Sequence, residues 1–408
     1  MSIRAVITGL GSVSPHGRGV RALWDGLLGG RSAFREVTIF DASVFRNAQA
    51  GEVDGYPAEE GKPARALRML HDAAAEALRD ALGLPESAAP EAIQDALAAA
   101  GLKNTALVAG TNFGGMSAVE RALVAGSEDP AQASLKGYLF GEAGASLARR
   151  FGLCGPRFNL SLSCASGAAG LGVALDLIRQ DRADAVLACG YDELSLYIYA
   201  GLSALRAITP ETIRPFDKRR KGTLFSEGAA AVLVESEAHA RARKAHEIHA
   251  RILGRYMNND AYHMTAPEQE ATGIKALMRA ALHDAGLGPE SVDHLNLHAT
   301  GTPYNDKIET KAVLEVFGAR GAEIPVASVK SSIGHTMGAA GVHETVAAAL
   351  TLREGKVPPV LGLDPNEQDP ECGLRAPTGA PLAGEFKTIL KTSYGFGGTN
   401  AALVLGKV

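Results

Sequence analysis

Asn159-Leu160-Ser161-Leu162-Ser163-Cys164-Ala165-Ser166-Gly167 is the stretch on which the reading of this chain turns. Strand-like residues lead into Cys164. Small, helix-forming residues follow it, first from Ala165 to Gly170 and then from Leu171 to Gln180. That order predicts a sharp strand-to-helix turn carrying a thiol at the N-terminus of a helix. Unpaired backbone N–H groups and the helix dipole favour negative charge there, so the thiol's pKa is expected to fall; the thiolate is the nucleophile. Two histidines in glycine-rich surroundings, His298 and His335, lie far downstream, where folding can bring them to Cys164.

Outward from that turn, short apolar segments alternate with helical ones. Strands are expected at 5–9, 105–110, 158–161, 185–190 and 229–235, then at 248–253, 294–298, 326–328, 388–393 and 401–405. Helices are expected at 68–81, 165–179, 273–285, 308–317 and 341–352. Alternation of this kind means an α/β protein with mixed or parallel sheets. The two halves share a coarse pattern, and the turn at Cys164 has a loose counterpart in Gly395-Phe396-Gly397-Gly398-Thr399-Asn400. A charged connector at 237–247 marks the boundary, giving an N-terminal half at 1–240 and a C-terminal half at 241–408. The polar segment 258–270 is too long for a simple turn and reads as a functional loop.

The bulk numbers fit. A chain of 408 residues is too long for one ordinary core and suggests two domains or one large duplicated one. With 46% hydrophobic and 21% charged residues and a net charge of −4, nothing points to nucleic acid or an anionic membrane as a partner. The N-terminus reads as a first strand and turn and not as a secretory leader, and no apolar run approaches the roughly 20 residues that span a bilayer. The four cysteines, Cys154, Cys164, Cys189 and Cys372, form no C-x-x-C pair and no metal-ligand spacing. They suggest reduced thiols in a cytoplasm. Cys154, Cys189 and Cys372 read as small apolar fillers.

His298 stands in Leu295-Asn296-Leu297-His298-Ala299-Thr300-Gly301-Thr302-Pro303-Tyr304-Asn305-Asp306, where a strand ends in a polar turn. His335 stands in Lys330-Ser331-Ser332-Ile333-Gly334-His335-Thr336-Met337-Gly338-Ala339-Ala340-Gly341, between a strand and a helix of small residues. His239, His246 and His249, in charged surroundings, read as solvated. A thiol with an imidazole is the general pattern of an activated nucleophile. Two imidazoles with equally elaborate settings suit a different task, holding a developing enolate or oxyanion through N–H groups.

Taken together these residues resemble the β-ketoacyl-[acyl-carrier-protein] synthases, the condensing enzymes of fatty-acid and polyketide assembly, and most closely the elongating type II form. The resemblance runs over nearly the whole chain. It includes Val6-Ile7-Thr8-Gly9-Leu10-Gly11-Ser12-Val13-Ser14-Pro15, the turn at Cys164, Pro215-Phe216-Asp217, Ser226-Glu227-Gly228-Ala229, Asp260-Ala261-Tyr262-His263-Met264-Thr265, both histidine motifs and Tyr394-Gly395-Phe396-Gly397-Gly398-Thr399-Asn400. It implies a thiolase-like fold: two duplicated halves in five alternating layers, α-β-α-β-α, as a homodimer or as a heterodimer with a related, non-catalytic subunit. It implies decarboxylative condensation of an acyl group on Cys164 with malonyl carried on acyl carrier protein, and no cofactor beyond the carrier's phosphopantetheine.

The resemblance also assigns roles. His298 and His335 would hold the enolate oxygen. Backbone N–H groups of Cys164 and Phe396 would form the oxyanion hole, and Phe396 would gate the acyl pocket. Lys330 matches the active-site lysine and Glu344 its partner, with an ion pair that merely holds the histidines as the plainer reading. Thr300 and Thr302 match contacts to the phosphopantetheine arm, and Thr265 lies in the loop beside its entrance. Asp306 and Glu309 support the histidine loop. Arg65, Arg68 and Arg206 stand where the acidic carrier would dock. The departures are Leu162-Ser163 before the nucleophile, Phe225-Ser226 before Glu227, Asn112-Phe113 before Gly114-Gly115, and Leu202 where an aromatic is common. They bear on chain length, with Phe113 expected to shorten the pocket. A biosynthetic thiolase would need a second catalytic cysteine, and Cys372 in Glu371-Cys372-Gly373 lacks the setting for one.

Overall fold

The computed structural model describes residues 4–57, 63–124 and 138–408. Residues 1–3 of the first strand-and-turn stretch therefore lie outside it. Ten strands make the main sheet path: β1 Ala5–Ser14, β2 Ala106–Gly110, β3 Arg157–Leu160, β4 Ala185–Asp192, β5 Gly228–Ser236, β6 Ala250–Asn259, β7 His294–Asn296, β8 Val326–Ala327, β9 Thr388–Gly395 and β10 Thr399–Gly406. The helices that matter to the site are α1 Arg65–Leu82, α2 Ser166–Arg179, α3 Leu196–Ala204, α4 Thr272–Asp284, α5 Pro303–Phe317 and α6 Ala340–Glu354. The expected strands and helices all appear, with ends moved by up to six residues. Helices at Val20–Leu28, Pro90–Ala99, Met116–Val124 and Phe140–Phe151 were not anticipated.

The strand order is β3-β2-β4-β5-β1 in one half and β8-β7-β9-β10-β6 in the other. Counted along the chain, both read third, second, fourth, fifth, first. The polarity matches too: the first, fifth and fourth strands pair antiparallel, and the fourth, second and third pair parallel. This is an internal duplication. The halves meet edge to edge through a short antiparallel join of Ala5–Ile7 with Ala250–Ile252.

The layers follow from where each sheet hides its apolar faces. α1 covers the outer face of the N-terminal sheet, burying Leu70, Ala74 and Leu78 against Leu107, Leu187 and Leu233. α4 and α5 cover the outer face of the C-terminal sheet, with Leu277 and Val313 against Leu295, Leu390 and Val404. Between the sheets lie α2 and α6, buried nearly all round and touching both. A helix that is apolar on every face belongs in such a middle layer.

Small residues let these two helices meet. A Cβ on Gly341 would lie 2.4 Å from the Ala168 nitrogen, and one on Gly167 would lie 2.7 Å from the Gly338 oxygen. The duplication also corrects the counterpart proposed from sequence. α2 follows β3 as α6 follows β8, so the turn at Cys164 corresponds to the segment around Lys330 and His335. The 395–400 turn instead joins the fourth and fifth strands of its half.

Candidate active site

Three chain turns converge at the ends of the parallel strands, where α/β proteins gather functional groups. Cys164 comes from the β3–α2 turn, His298 from the end of β7, and His335 from the segment between β8 and α6. Each has a neighbour held in left-handed backbone geometry without being glycine: Ser163 at φ 50°, Ala299 at 36° and Met337 at 51°. Such residues persist only where the surroundings impose them. At Ser163 the imposing element is the β9–β10 turn. A Cβ on Gly395 would lie 2.9 Å from the Ser163 Cβ, and the Thr399 hydroxyl donates to the Leu162 carbonyl at 3.0 Å.

All three functional side chains line one cavity of about 630 Å³. Phe113, Leu202, Phe225, Met337 and Phe396 supply apolar wall, and Thr300 and Thr302 lie along it with their hydroxyls 2.9 Å apart. Thr265 and Arg206 are exposed at its mouth. The backbone N–H groups of Cys164 and Phe396 lie outside every helix and strand.

The two imidazoles meet edge to face with ring centroids 5.4 Å apart, and Tyr394 also meets His298 edge to face at 5.4 Å. Phe225 stacks on His335 at 5.6 Å. The Met337 N–H donates to His335 Nδ1 at 3.1 Å, so the neutral ring carries its proton on Nε2. His298 Nδ1 is buried with no hydrogen-bond partner. Burial holds both histidines well below their ordinary pKa, with Lys330 and Lys391 adding to it in each case. Both are therefore neutral hydrogen-bond donors at neutral pH.

Lys330 and Glu344 are buried and ion-paired, as the sequence suggested. Glu309 accepts the backbone N–H groups of His298 at 2.9 Å and Ala299 at 2.8 Å, and the Thr392 hydroxyl at 2.9 Å. Burial raises its pKa to about 7. Asp306 accepts the N–H of Gly301 at 3.1 Å and of Phe216 at 3.0 Å. Both carboxylates brace the loop and stay out of the cavity lining.

Several expectations need correction. Burial pushes the Cys164 thiol up to about 11, with Lys330 opposing, the reverse of the fall expected from a helix terminus. Arg65 is no docking residue: it is buried on the inner side of α1, paired with Glu227 and bonded to the Val53 carbonyl. Arg68 is half-buried, bonded to the Pro57 carbonyl. His249 is buried, with Nε2 2.7 Å from Asp80, and His239 is half-buried against Glu235 at 2.8 Å. Cys154 is exposed, whereas Cys189 and Cys372 are buried.

Sequence reasoning passed over Asp192. At the end of β4 it accepts N–H bonds from Phe113 at 2.9 Å and Gly338 at 2.7 Å and the Thr111 hydroxyl at 2.7 Å. It thus ties the Phe113 wall to the His335 segment. Burial lifts its pKa to about 6. An acidic pair, Asp192-Glu193, closing an apolar strand was the available signal. Lys391, in mid-strand, was passed over too.

Comparison with known proteins agrees with the geometry. The beta-ketoacyl synthase N-terminal domain matches residues 3–240 and the C-terminal domain matches 249–364. A 3-oxoacyl-[acyl-carrier-protein] synthase 2 of Coxiella burnetii is 36% identical over 99% of both chains. A granaticin polyketide putative beta-ketoacyl synthase 1 of Streptomyces violaceoruber is 36% identical over 99% of this chain and 98% of its own. Among solved structures, the ishigamide ketosynthase/chain length factor superposes with a TM-score of 0.88 at 32% identity over the full length of both chains. A type II polyketide acyl-carrier protein in complex with its ketosynthase bound to the hexaketide gives 0.88 at 29%, also over both full lengths.

Proposed function

The chain belongs to the beta-ketoacyl synthase family, and on that premise we propose the following course for its reaction. It is an acyltransferase with the thiolase-like fold, a condensing enzyme of fatty-acid or polyketide chain elongation. The Cys164 sulfur, its proton released, attacks the carbonyl of an acyl group delivered on acyl carrier protein; the thioester bond to the carrier breaks, and the departing carrier sulfur takes up a proton as the carrier thiol. Malonyl-carrier then enters along Thr300 and Thr302. Loss of carbon dioxide leaves an enolate whose oxygen is held by the N–H groups of His298 and His335. Its carbon attacks the acyl-Cys164 carbonyl, with the oxyanion held by the N–H groups of Cys164 and Phe396. Collapse expels the Cys164 thiolate and gives β-ketoacyl-carrier. Preformed donors aimed at developing charge are typically among the largest contributions to rate.

One observation carries this reading: a buried thiol and two neutral, mutually packed imidazoles share one largely apolar cavity. A pair of packed imidazoles suits enolate stabilisation better than protease-type base catalysis, for which one oriented histidine suffices. Lys330 opposes the rise that burial imposes on the thiol and so favours the thiolate that attacks. The substrate arm brings its own phosphopantetheine, so the course needs no resident cofactor.

The carrier and the second subunit are the partners. Arg206, exposed at the mouth, is placed to meet an acidic carrier. The chain works as a homodimer or beside a related subunit, in the cytoplasm; among the described residues no helix is long and apolar enough to cross a membrane. The test is condensation with purified components. Acyl-carrier plus malonyl-carrier should give β-ketoacyl-carrier and carbon dioxide. Product from two acetyl thioesters without malonyl would mean a thiolase instead, and activity only with an added homologous subunit would mean an obligate heterodimer.

A further inference from the structure

Lys391 is fully buried in the interior of β9, where a cation has no part in forming the strand. Its Nζ donates to Glu344 Oε2 at 2.9 Å and to the Ser393 hydroxyl. The other oxygen of Glu344 takes Lys330. One carboxylate thus stands between two buried ammonium groups, leaving one positive charge in excess within this trio, with Glu309 the further carboxylate that acts on Lys391. Burying an uncompensated charge is costly, so its retention asks for a use. The location suggests one. β7 and β9 pair Asn296 with Lys391, two residues before His298, and the Asn296 amide donates to the Glu344 carbonyl at 3.3 Å while its own oxygen has no partner.

We propose that Lys391 is a positioning residue for the condensation: with Lys330 and Glu344 it forms a triad whose surplus positive charge, set behind His298 and His335, keeps both imidazoles neutral and able to donate to the enolate oxygen. The inference rests on the function proposed above. The charged and titratable groups facing the triad are few. Glu309 on α5 favours the charged form of Lys391, but its oxygens are bonded to backbone N–H groups and the Thr392 hydroxyl and burial raises its own pKa to about 7. His343 on α6 is bonded at Nδ1 to Thr336, 3.1 Å away. Tyr394 on β9 is held protonated by burial. Cys164, on which Lys330 acts, approaches from the other half of the molecule. Lys391 itself is lowered by burial, with Glu344 opposing, and it acts on both histidines in the same direction as Lys330.

The sign is fixed. Removing a nearby positive charge makes an imidazolium easier to form, so histidine pKa values rise and neutral donors are lost at higher pH. The experiment compares Lys391→Met and Lys391→Gln with Lys391→Arg, following malonyl-carrier decarboxylation from pH 5 to 8. The neutral variants should move the acid limb up by about one unit, which is about a tenfold loss on that limb, and should lose far less at pH 8. Arginine should restore the limb. An equal loss at every pH, or no shift, would overturn the proposal and leave Lys391 as packing.

NMR titration of the His298 and His335 rings in the same proteins reads the coupling even if no condensation is found. A failure of the proposed function is therefore distinguishable from a failure of this inference. Should neither neutral variant fold, the ¹⁵N shift of Lys391 Nζ in the wild-type protein decides. An ammonium between pH 6 and 8, beside neutral rings, supports the triad; a neutral amine contradicts it.

Discussion

The two halves of this molecule share one strand order and one polarity, yet their equivalent corners carry opposite chemistry. After the third strand of the N-terminal half comes an uncharged turn, Leu162-Ser163-Cys164-Ala165, leading into a helix of small apolar residues. After the third strand of the C-terminal half come Lys330 and His335, and the helix that follows carries Glu344. The middle layer presses these corners together, Gly167 against Gly338 and Gly341 against Ala168. On the proposed course, the duplicated fold places the acyl acceptor opposite the groups that manage charge.

If that division is real, the halves can be disabled separately. His298→Ala and His335→Ala should each cut condensation by about 10²-fold, the loss typical of a missing oxyanion donor, while leaving acylation of Cys164 far less affected. Kinetics of product formation beside mass spectra of the acyl-enzyme would show it. Equal loss of both steps would break the division.

The halves should also respond differently to pH. A thiol near 11 loses its proton progressively as pH rises, so alkylation of Cys164 by iodoacetamide should climb about tenfold per pH unit between 7 and 9. Decarboxylation should stay level from pH 8 down to about 6, since both histidines lie well below their usual 6.5 and remain neutral there. An alkylation plateau below pH 8 would restore the helix-terminus effect expected from sequence.

The smallest effect belongs to the pocket wall. Phe113 lines the cavity on the N-terminal side, held there by Asp192. Phe113→Ala should shift the preferred acyl chain to greater length, with changes of about tenfold in kcat/KM between neighbouring lengths. An unchanged profile across acyl-carriers of graded length would pass the role to Leu202 or Phe225.

Much of this was legible in the sequence because it is local. A strand running into Cys164 and small residues running out of it make a turn wherever they occur, and His298 and His335 each stand between a strand and a helix start. Period and punctuation set the ten strands for the same reason. What was not legible depends on partners distant in sequence. Arg65 looks like a surface cation until Glu227, 162 positions away, takes its guanidinium into the core. His249 looks solvated until Asp80 meets it. Lys391 looks misplaced in a strand until α6 brings Glu344. The pKa of Cys164 was misjudged because a helix terminus is visible in sequence, whereas burial by the other half is not. The same limit hid which turns correspond, since only strand order reveals that Cys164 and the Lys330–His335 segment occupy matching corners.

The central claim is that the N-terminal corner carries the chain covalently. Incubating the protein with acyl-carrier and analysing its cysteine-containing peptides by mass spectrometry tests it most directly. The account predicts one acyl adduct, on the peptide bearing Cys164, absent in Cys164→Ala and absent from the peptides of Cys154, Cys189 and Cys372. A Cys164 peptide that stays unmodified, or an adduct on another cysteine, would contradict it.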